Sequence, residues 1–219
     1  MLIISTLAVI LGFSTQSSFL LNVSSSNEFS SGDFDYSVDN NAVIGYFGDD
    51  QQVEISDKAS FSYEYSLGEY VNYGLSYVNY LMQMEEMPTL DEKTVKTIEV
   101  LAIGNRAFDS KPITKVILPS KVNKFGTEAF VDCQSLMEIT YKNGNGSLNL
   151  GKYSLKNTGF VNFEYDFVSF VDEFALSNCS SLVRVNVPKA TVAANAFEGS
   201  TGIEVLTFKS TDALKLVDI

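Results

Sequence analysis

Ile103-Gly104-Asn105-Arg106-Ala107-Phe108 and, one repeat later, Phe125-Gly126-Thr127-Glu128-Ala129-Phe130-Val131-Asp132-Cys133 are two copies of one pattern, and the pattern decides the fold. Its anchor is a small residue followed by a bulky apolar one. Working outward, the anchor recurs as Ser154-Leu155, Ala175-Leu176 and Ala196-Phe197, at successive spacings of 22, 25, 21 and 21 residues. Five residues before each bulky anchor stands an apolar residue (Ile103, Phe125, Leu150, Val171, Val192), followed in the first three copies by Gly104, Gly126 and Gly151. Five or six residues after each anchor come apolar triplets with constant internal spacing: Ile113/Val116/Leu118, Leu136/Ile139/Tyr141, Phe160/Phe163/Tyr165, Leu182/Val185/Val187 and Ile203/Leu206/Phe208.

The last two members of each triplet are two residues apart, which puts both on one face of a short strand. A sandwich of unrelated amphipathic strands also alternates, but it has no reason to keep its turn residues in phase with its strands. A tandem period of this length instead marks a solenoid, in which no coil buries its own apolar face and stability comes from its neighbours.

The repeat resembles the BspA-type leucine-rich repeat, which reads approximately Ile-Gly-x-x-Ala-Phe-x-x-Cys-x-x-Leu-x-x-Ile-x-Ile-Pro-x-x-Val. The first two copies match it well, and Ala175-Leu176-Ser177-Asn178-Cys179-Ser180-Ser181-Leu182 through Val187-Pro188 nearly so; the departures are Leu155 for Phe, and Asp172 and Ala193 for Gly. The resemblance implies a leucine-rich repeat solenoid of the α/β type, mostly β and irregular coil. About five coils carry a parallel β-sheet on the concave face. It also implies a secreted or surface-displayed, non-catalytic protein, engaged in adhesion or in contact with host proteins or other microbes. Each coil is expected to consist of a strand, a turn often opened by Pro119 or Pro188, an extended return and a tight helical turn at the anchor. The glycines allow a sharp bend, and Phe108, Phe130, Leu155, Leu176 and Phe197 form a spine.

The expected organisation is a signal peptide over residues 1–17, a flexible segment over 18–31, a strand-rich cap over 32–57, a Tyr-rich helical insertion over 58–93, repeats over 94–208 and a tail over 209–219. The signal reading rests on the apolar run Leu7-Ala8-Val9-Ile10-Leu11, too short to span a bilayer and followed by small polar residues. A buried strand is the alternative. The insertion is read as helix from the capping box Ser66-Leu67-Gly68-Glu69 and from the helical spacing of Leu67, Val71, Leu75, Val78 and Met82 before Pro88. Its tyrosines (Tyr63, Tyr65, Tyr70, Tyr73, Tyr77, Tyr80) suit either a packed cap or a contact surface.

A net charge of -12 and a pI near 4.4 disfavour nucleic acid and anionic membrane surfaces. The chain contains no histidine, which removes Ser-His-Asp and Cys-His catalysis and imidazole metal ligands. No cofactor is expected. No segment after the signal is long and apolar enough for a membrane helix. Cys133 and Cys179 occupy equivalent places two coils apart, near 10 Å by strand spacing, so both are expected to be buried thiols and not a disulfide. Of three glycosylation sequons, the one at Asn145 in Asn143-Gly144-Asn145-Gly146 falls in a turn signal and is expected to protrude.

The side chains alternating with the inward residues point to the concave face: Lys115, Ile117, Glu138, Thr140, Asn162, Glu164, Arg184, Asn186, Val205 and Thr207. They are the candidate binding residues, with extracellular or cell-surface proteins as partners. Two other readings compete. A glycosidase would draw a carboxylate pair from Glu164, Asp166, Asp172 or Glu173. A structural reading makes the chain a piece or subunit of a larger array that self-associates through its last coil, whose cover is limited to Leu214, Leu216 and Val217.

Overall fold

A computed structural model describes residues 28–63, 94–143 and 146–210. It divides the chain into two units: residues 27–60 with 97–219, which build the solenoid, and residues 1–26 with 61–96, of which only strand ends are described. The signal peptide, the helical reading from Leu67 to Met82, Asn145 and the tail beyond residue 210 lie outside the described residues.

The strands in chain order are β1 (Glu28–Ser31), β2 (Phe34–Ser37), β3 (Ala42–Tyr46), β4 (Gln52–Glu54), β5 (Lys58–Tyr63), β6 (Thr94–Glu99), β7 (Ala102–Ile103) and β8 (Lys115–Leu118). They continue as β9 (Lys124–Phe125), β10 (Glu138–Tyr141), β11 (Leu148–Leu150), β12 (Asn162–Glu164), β13 (Val168–Val171), β14 (Arg184–Val192) and β15 (Val205–Ser210). Among the described residues there is no helix. The expected helical insertion over 58–93 is not borne out: its described part is the strand β5, which pairs with β6, the strand that follows the insertion, as a two-stranded sheet.

Each coil contributes one strand to a back sheet and one to a front sheet. On the back, the apolar residue five before each anchor starts a ladder: Val43↔Ile103↔Phe125↔Leu150↔Val171↔Val192, all parallel. On the front, the middle triplet residues stack as Val53↔Val116↔Ile139 and as Phe163↔Val185↔Leu206. The strands of the segment read as a cap continue both sheets: β3 and β4 each add a parallel strand, and β2 and β1 extend the back sheet beyond β3 as antiparallel strands. Between the sheets the triplets and anchors merge into one continuous core, in which Phe108, Phe130, Leu155, Leu176 and Phe197 are all buried. Phe108 and Phe130 stack with centroids 4.8 Å apart, and Tyr46 covers the other side of Phe108 at 5.2 Å.

The anchors do not form the expected helical turn. In every copy the residue two before the bulky anchor and the residue two after it have positive φ: Arg106, Glu128, Tyr153, Phe174 and Asn195, then Ser110, Asp132, Asn157, Asn178 and Gly199. A left-handed residue on each side stops helix growth. Neighbouring coils hold the conformation in place. The anchor amides of Phe108, Phe130, Leu155 and Leu176 donate to the carbonyls of Ala129, Ser154, Ala175 and Ala196 in the next coil, at 2.8 to 2.9 Å.

Glycine before the anchor serves approach and not a bend. None of the three repeat glycines has positive φ, but a Cβ on Gly151 would lie 2.5 Å from the Phe125 carbonyl oxygen one coil back. Pro188 likewise opens no turn. It sits inside β14, at the register shift between Val187 and Thr191 where one strand passes from the front sheet to the back.

Both cysteines are free and buried. They are more than small apolar filler, because in the last four copies the third position after the anchor carries a donor that closes an anchor carbonyl. Cys133 Sγ donates to Phe108 O at 2.9 Å, Cys179 Sγ to Leu155 O at 3.3 Å and Ser200 Oγ to Leu176 O at 2.7 Å, each reaching a preceding coil, while Thr158 Oγ1 donates to its own coil's Leu155 O at 2.8 Å.

Candidate functional site

The front sheet aligns the candidate binding residues in two rows. Gln52, Lys115 and Glu138 share one row and Glu54, Ile117 and Thr140 the next. Asn162, Arg184 and Val205 continue the first register, and Glu164, Asn186 and Thr207 the second. The ten candidate residues thus lie on the front strands, Lys115, Ile117, Glu138 and Thr140 on β8 and β10 and the other six on β12, β14 and β15. Gln52 and Glu54 also belong to it; their sequence signal was the alternation Gln52-Val53-Glu54-Ile55 in the segment read as cap.

The face is not one unbroken sheet, however. β10 ends a three-stranded sheet with β8 and β4, while β12 begins a second run with β14 and β15. Strands β10 and β12 belong to successive coils but are not hydrogen-bonded neighbours. In place of a ladder, the amide of Ile139 donates to the hydroxyl of Tyr165 at 3.0 Å. That phenol packs edge-on against Phe163, with centroids 4.7 Å apart, and tilted against Phe167 at 4.9 Å. Burial pushes its pKa upward.

Charges on the face are paired within each half. Lys115 Nζ meets Glu138 at 2.8 Å, Arg184 Nε approaches Glu164 at 3.7 Å, and Lys142 reaches over β8 to Glu54. The hydrogen bond to Glu54 holds the Lys142 ammonium pKa above its ordinary value. These pairs are largely open to solvent, which screens them, so they contribute little to stability. They fix side-chain positions more than they stabilise the fold.

The carboxylates of the glycosidase reading are not brought together as a catalytic pair. Glu164 pairs with Arg184, Asp166 with Lys189 at 3.4 Å and Glu173 with Lys152 at 2.9 Å, while Asp172 accepts from the Glu173 amide at 2.8 Å. A shallow groove of about 320 Å³ runs over the back sheet, lined by Lys124, Phe125, Asn149, Leu150, Gly151, Phe170 and Asp172, so a single carboxylate faces it. Among the described residues no three Cys, Asp or Glu side chains gather as a metal site.

A stack of register-matched coils with a bulky anchor, a small residue before it and a parallel front sheet defines a leucine-rich repeat solenoid. The chain belongs to the BspA type leucine-rich repeat family, whose pattern matches residues 101–215 as six copies. Solved structures of similar fold include a leucine-rich repeat protein from Bacteroides capillosus (15% identity, TM-score 0.44, covering 84% of this chain and 99% of that one). Another is the Treponema pallidum leucine-rich repeat protein (16% identity, TM-score 0.49, 84% and 83%). A third is a leucine-rich cell surface protein from Faecalibacterium prausnitzii (16% identity, TM-score 0.46, 84% and 55%). No curated protein matches the chain.

Proposed function

We propose that this chain is a secreted or surface-displayed, non-catalytic binding module that holds extracellular proteins on its front sheet and serves adhesion or contact between a microbe and its host. The observation that carries this reading is the two rows of outward side chains, set in register on strands whose other faces lie in one core. Repeat solenoids use such extended surfaces for partners because the array pre-organises many contacts at little entropic cost. Family membership supports interaction over catalysis, and the four candidate carboxylates are engaged in ion pairs or a backbone contact. The protein named as a cell surface protein from Faecalibacterium prausnitzii supports the location.

The test is site-specific photo-crosslinking to intact cells, with the probe at Asn186 or Thr207 on the front and at Asn149 on the back. Crosslinked proteins from the two front positions and none from the back are expected. Equal yields, or a yield from Asn149 alone, would overturn the front-sheet reading.

Self-association through the last coil is the second reading. Ile203, Leu206 and Phe208 are only half-buried, whereas the equivalent Leu182, Val185 and Val187 one coil earlier are fully buried. Light scattering that reports a monomer at millimolar concentration would remove it.

A further inference from the structure

We propose that the break between β10 and β12 is a docking slot for an extended peptide segment that presents an apolar residue beside a Lys or Arg. The proposal rests on the front sheet being the contact surface and narrows it to one place.

The opening is confined to the front. Nearly all Cα pairs between β10 and β12 are more than 8 Å apart, against about 4.8 Å for paired strands. Yet the same two coils are tightly joined elsewhere. Phe130 N donates to Ser154 O at 2.8 Å, Asp132 N to Lys156 O at 3.0 Å, and Asn149 N to Asn123 O at 2.9 Å. Gly159 approaches Gln134 so closely that a Cβ there would lie 2.2 Å from the Gln134 carbonyl oxygen. Below the opening, the Tyr165 phenol spans the two coils and occupies the Ile139 amide. The slot therefore has a solid floor and leads to no empty core.

Its rims carry chemistry that the rest of the sheet lacks. Met137 and Val161 directly precede β10 and β12, one on each rim, and are 54% and 46% exposed. They invite apolar contact from a partner. Glu138 lies on one rim and Glu164 on the other, half-exposed, each held on its far side by Lys115 or Arg184. Glu138 stands in the first row and Glu164 in the second, so an extended peptide with basic residues two apart is offered one carboxylate from each rim, in a chain whose net charge of -12 draws basic segments toward it. Strand edges that do not pair with each other are met by extended backbone, the form of recognition in which main-chain hydrogen bonds supply affinity and alternate side chains supply specificity. A peptide lying between two strands needs about twice the ~4.8 Å spacing, and nearly all Cα pairs across the rims exceed 8 Å.

The test uses the full chain and an array of fluorescein-labelled five-residue peptides alternating Val or Leu with Lys or Arg, read by anisotropy and by amide hydrogen exchange. Saturable binding is expected, with new protection at Asn162 and Glu164. Acidic peptides that alternate Val with Glu are expected not to bind. The pair Glu138→Lys and Glu164→Lys is expected to weaken binding by about ten-fold or more, while Lys124→Glu on the back sheet leaves it unchanged. Should the double reversal fail to fold, the variants Glu138→Gln and Met137→Ser take its place. No saturable binding, affinity indifferent to these substitutions, or protection that appears along β15 instead would overturn the slot. None of those outcomes touches the crosslinking result, so loss of the slot and loss of the front-sheet reading are separable.

Discussion

The hydroxyl of Tyr165 accepts the backbone amide of Ile139 across two coils at 3.0 Å, standing in for a hydrogen bond that another strand would have made. The third coil is the one whose front triplet is wholly aromatic, Phe160, Phe163 and Tyr165, where other coils place Leu, Ile or Val at two or more positions. The same triplet's strand β12 pairs in regular register with β14, so the break lies on one side of it alone. The phenol gives the Ile139 amide the acceptor that a neighbouring strand would have supplied.

Tyr165→Phe keeps the ring and removes the acceptor. Leaving the buried Ile139 amide unpaired is expected to cost about 1–3 kcal/mol. Urea denaturation measures the loss, and hydrogen exchange is expected to accelerate at Ile139 ahead of its neighbours. An unchanged Ile139 exchange rate would mean that the phenol does not hold this amide.

Phe130 is fully buried, stacked on Phe108 and tilted against Phe125 with centroids 4.8 Å away. Phe130→Ala is expected to destabilise by about 3–5 kcal/mol. Phe197→Ala, in the last described coil, is expected to cost less, because its neighbours Ile203, Leu206 and Phe208 are only partly buried. Circular dichroism melts that rank the two the other way would contradict a spine anchored in the interior coils.

Ser154 stands where four other copies have Ala107, Ala129, Ala175 and Ala196, and its hydroxyl is buried without a hydrogen-bond partner. Removing it is expected to stabilise the protein by about 1 kcal/mol or more, since the desolvated group gains nothing in return. The check is the melting temperature of Ser154→Ala, and a decrease would show that the hydroxyl is satisfied in solution.

Burial pushes the Cys133 thiol from 9.0, and the Tyr141 phenol from 10.0, up to about 12. Both groups are neutral in folded and unfolded chains below about pH 9, so their burial carries no penalty there. Above it the unfolded chain ionises and the folded chain does not, so stability falls from about pH 9 through 12. The urea midpoint is expected to drop between pH 8 and pH 11, and the drop is expected to be shallower in Cys133→Ala. A flat midpoint over that interval would contradict burial of both groups.

The coil boundaries, the spine and the front-sheet residues were legible in the sequence because each is set by a short apolar spacing that recurs in phase. Lys115 opposite Glu138, and Asn162 opposite Arg184, follow once the anchors are aligned. The left-handed residue after each anchor was not read, because a helical turn was expected there, although Asp132, Asn157, Asn178 and Gly199 are of types that favour positive φ. The one before it left no signal, because Arg106, Glu128, Tyr153 and Phe174 have no such preference and are held by hydrogen bonds from the neighbouring coil or its ring contacts. The break in the front sheet falls between the second and third apolar triplets, which match the spacing as well as the others do, so an apolar pattern carries no sign of it. The donor at the third position after the anchor escaped because Cys, Thr and Ser share no hydropathy class, although all three reach a carbonyl.

The anchor-to-carbonyl bond repeats with the same partners at each junction from Phe108 N–Ala129 O to Leu176 N–Ala196 O. A chain built on such a rule can grow or shrink by whole coils, because an added unit finds on either side the surface its predecessor left. Changes of a few residues are absorbed only in the turns, as the unequal spacings of 22, 25, 21 and 21 residues show, whereas a change within a strand flips its side chains. Lineages carrying this architecture are therefore expected to vary in copy number, and to confine differences in copy length to the turns.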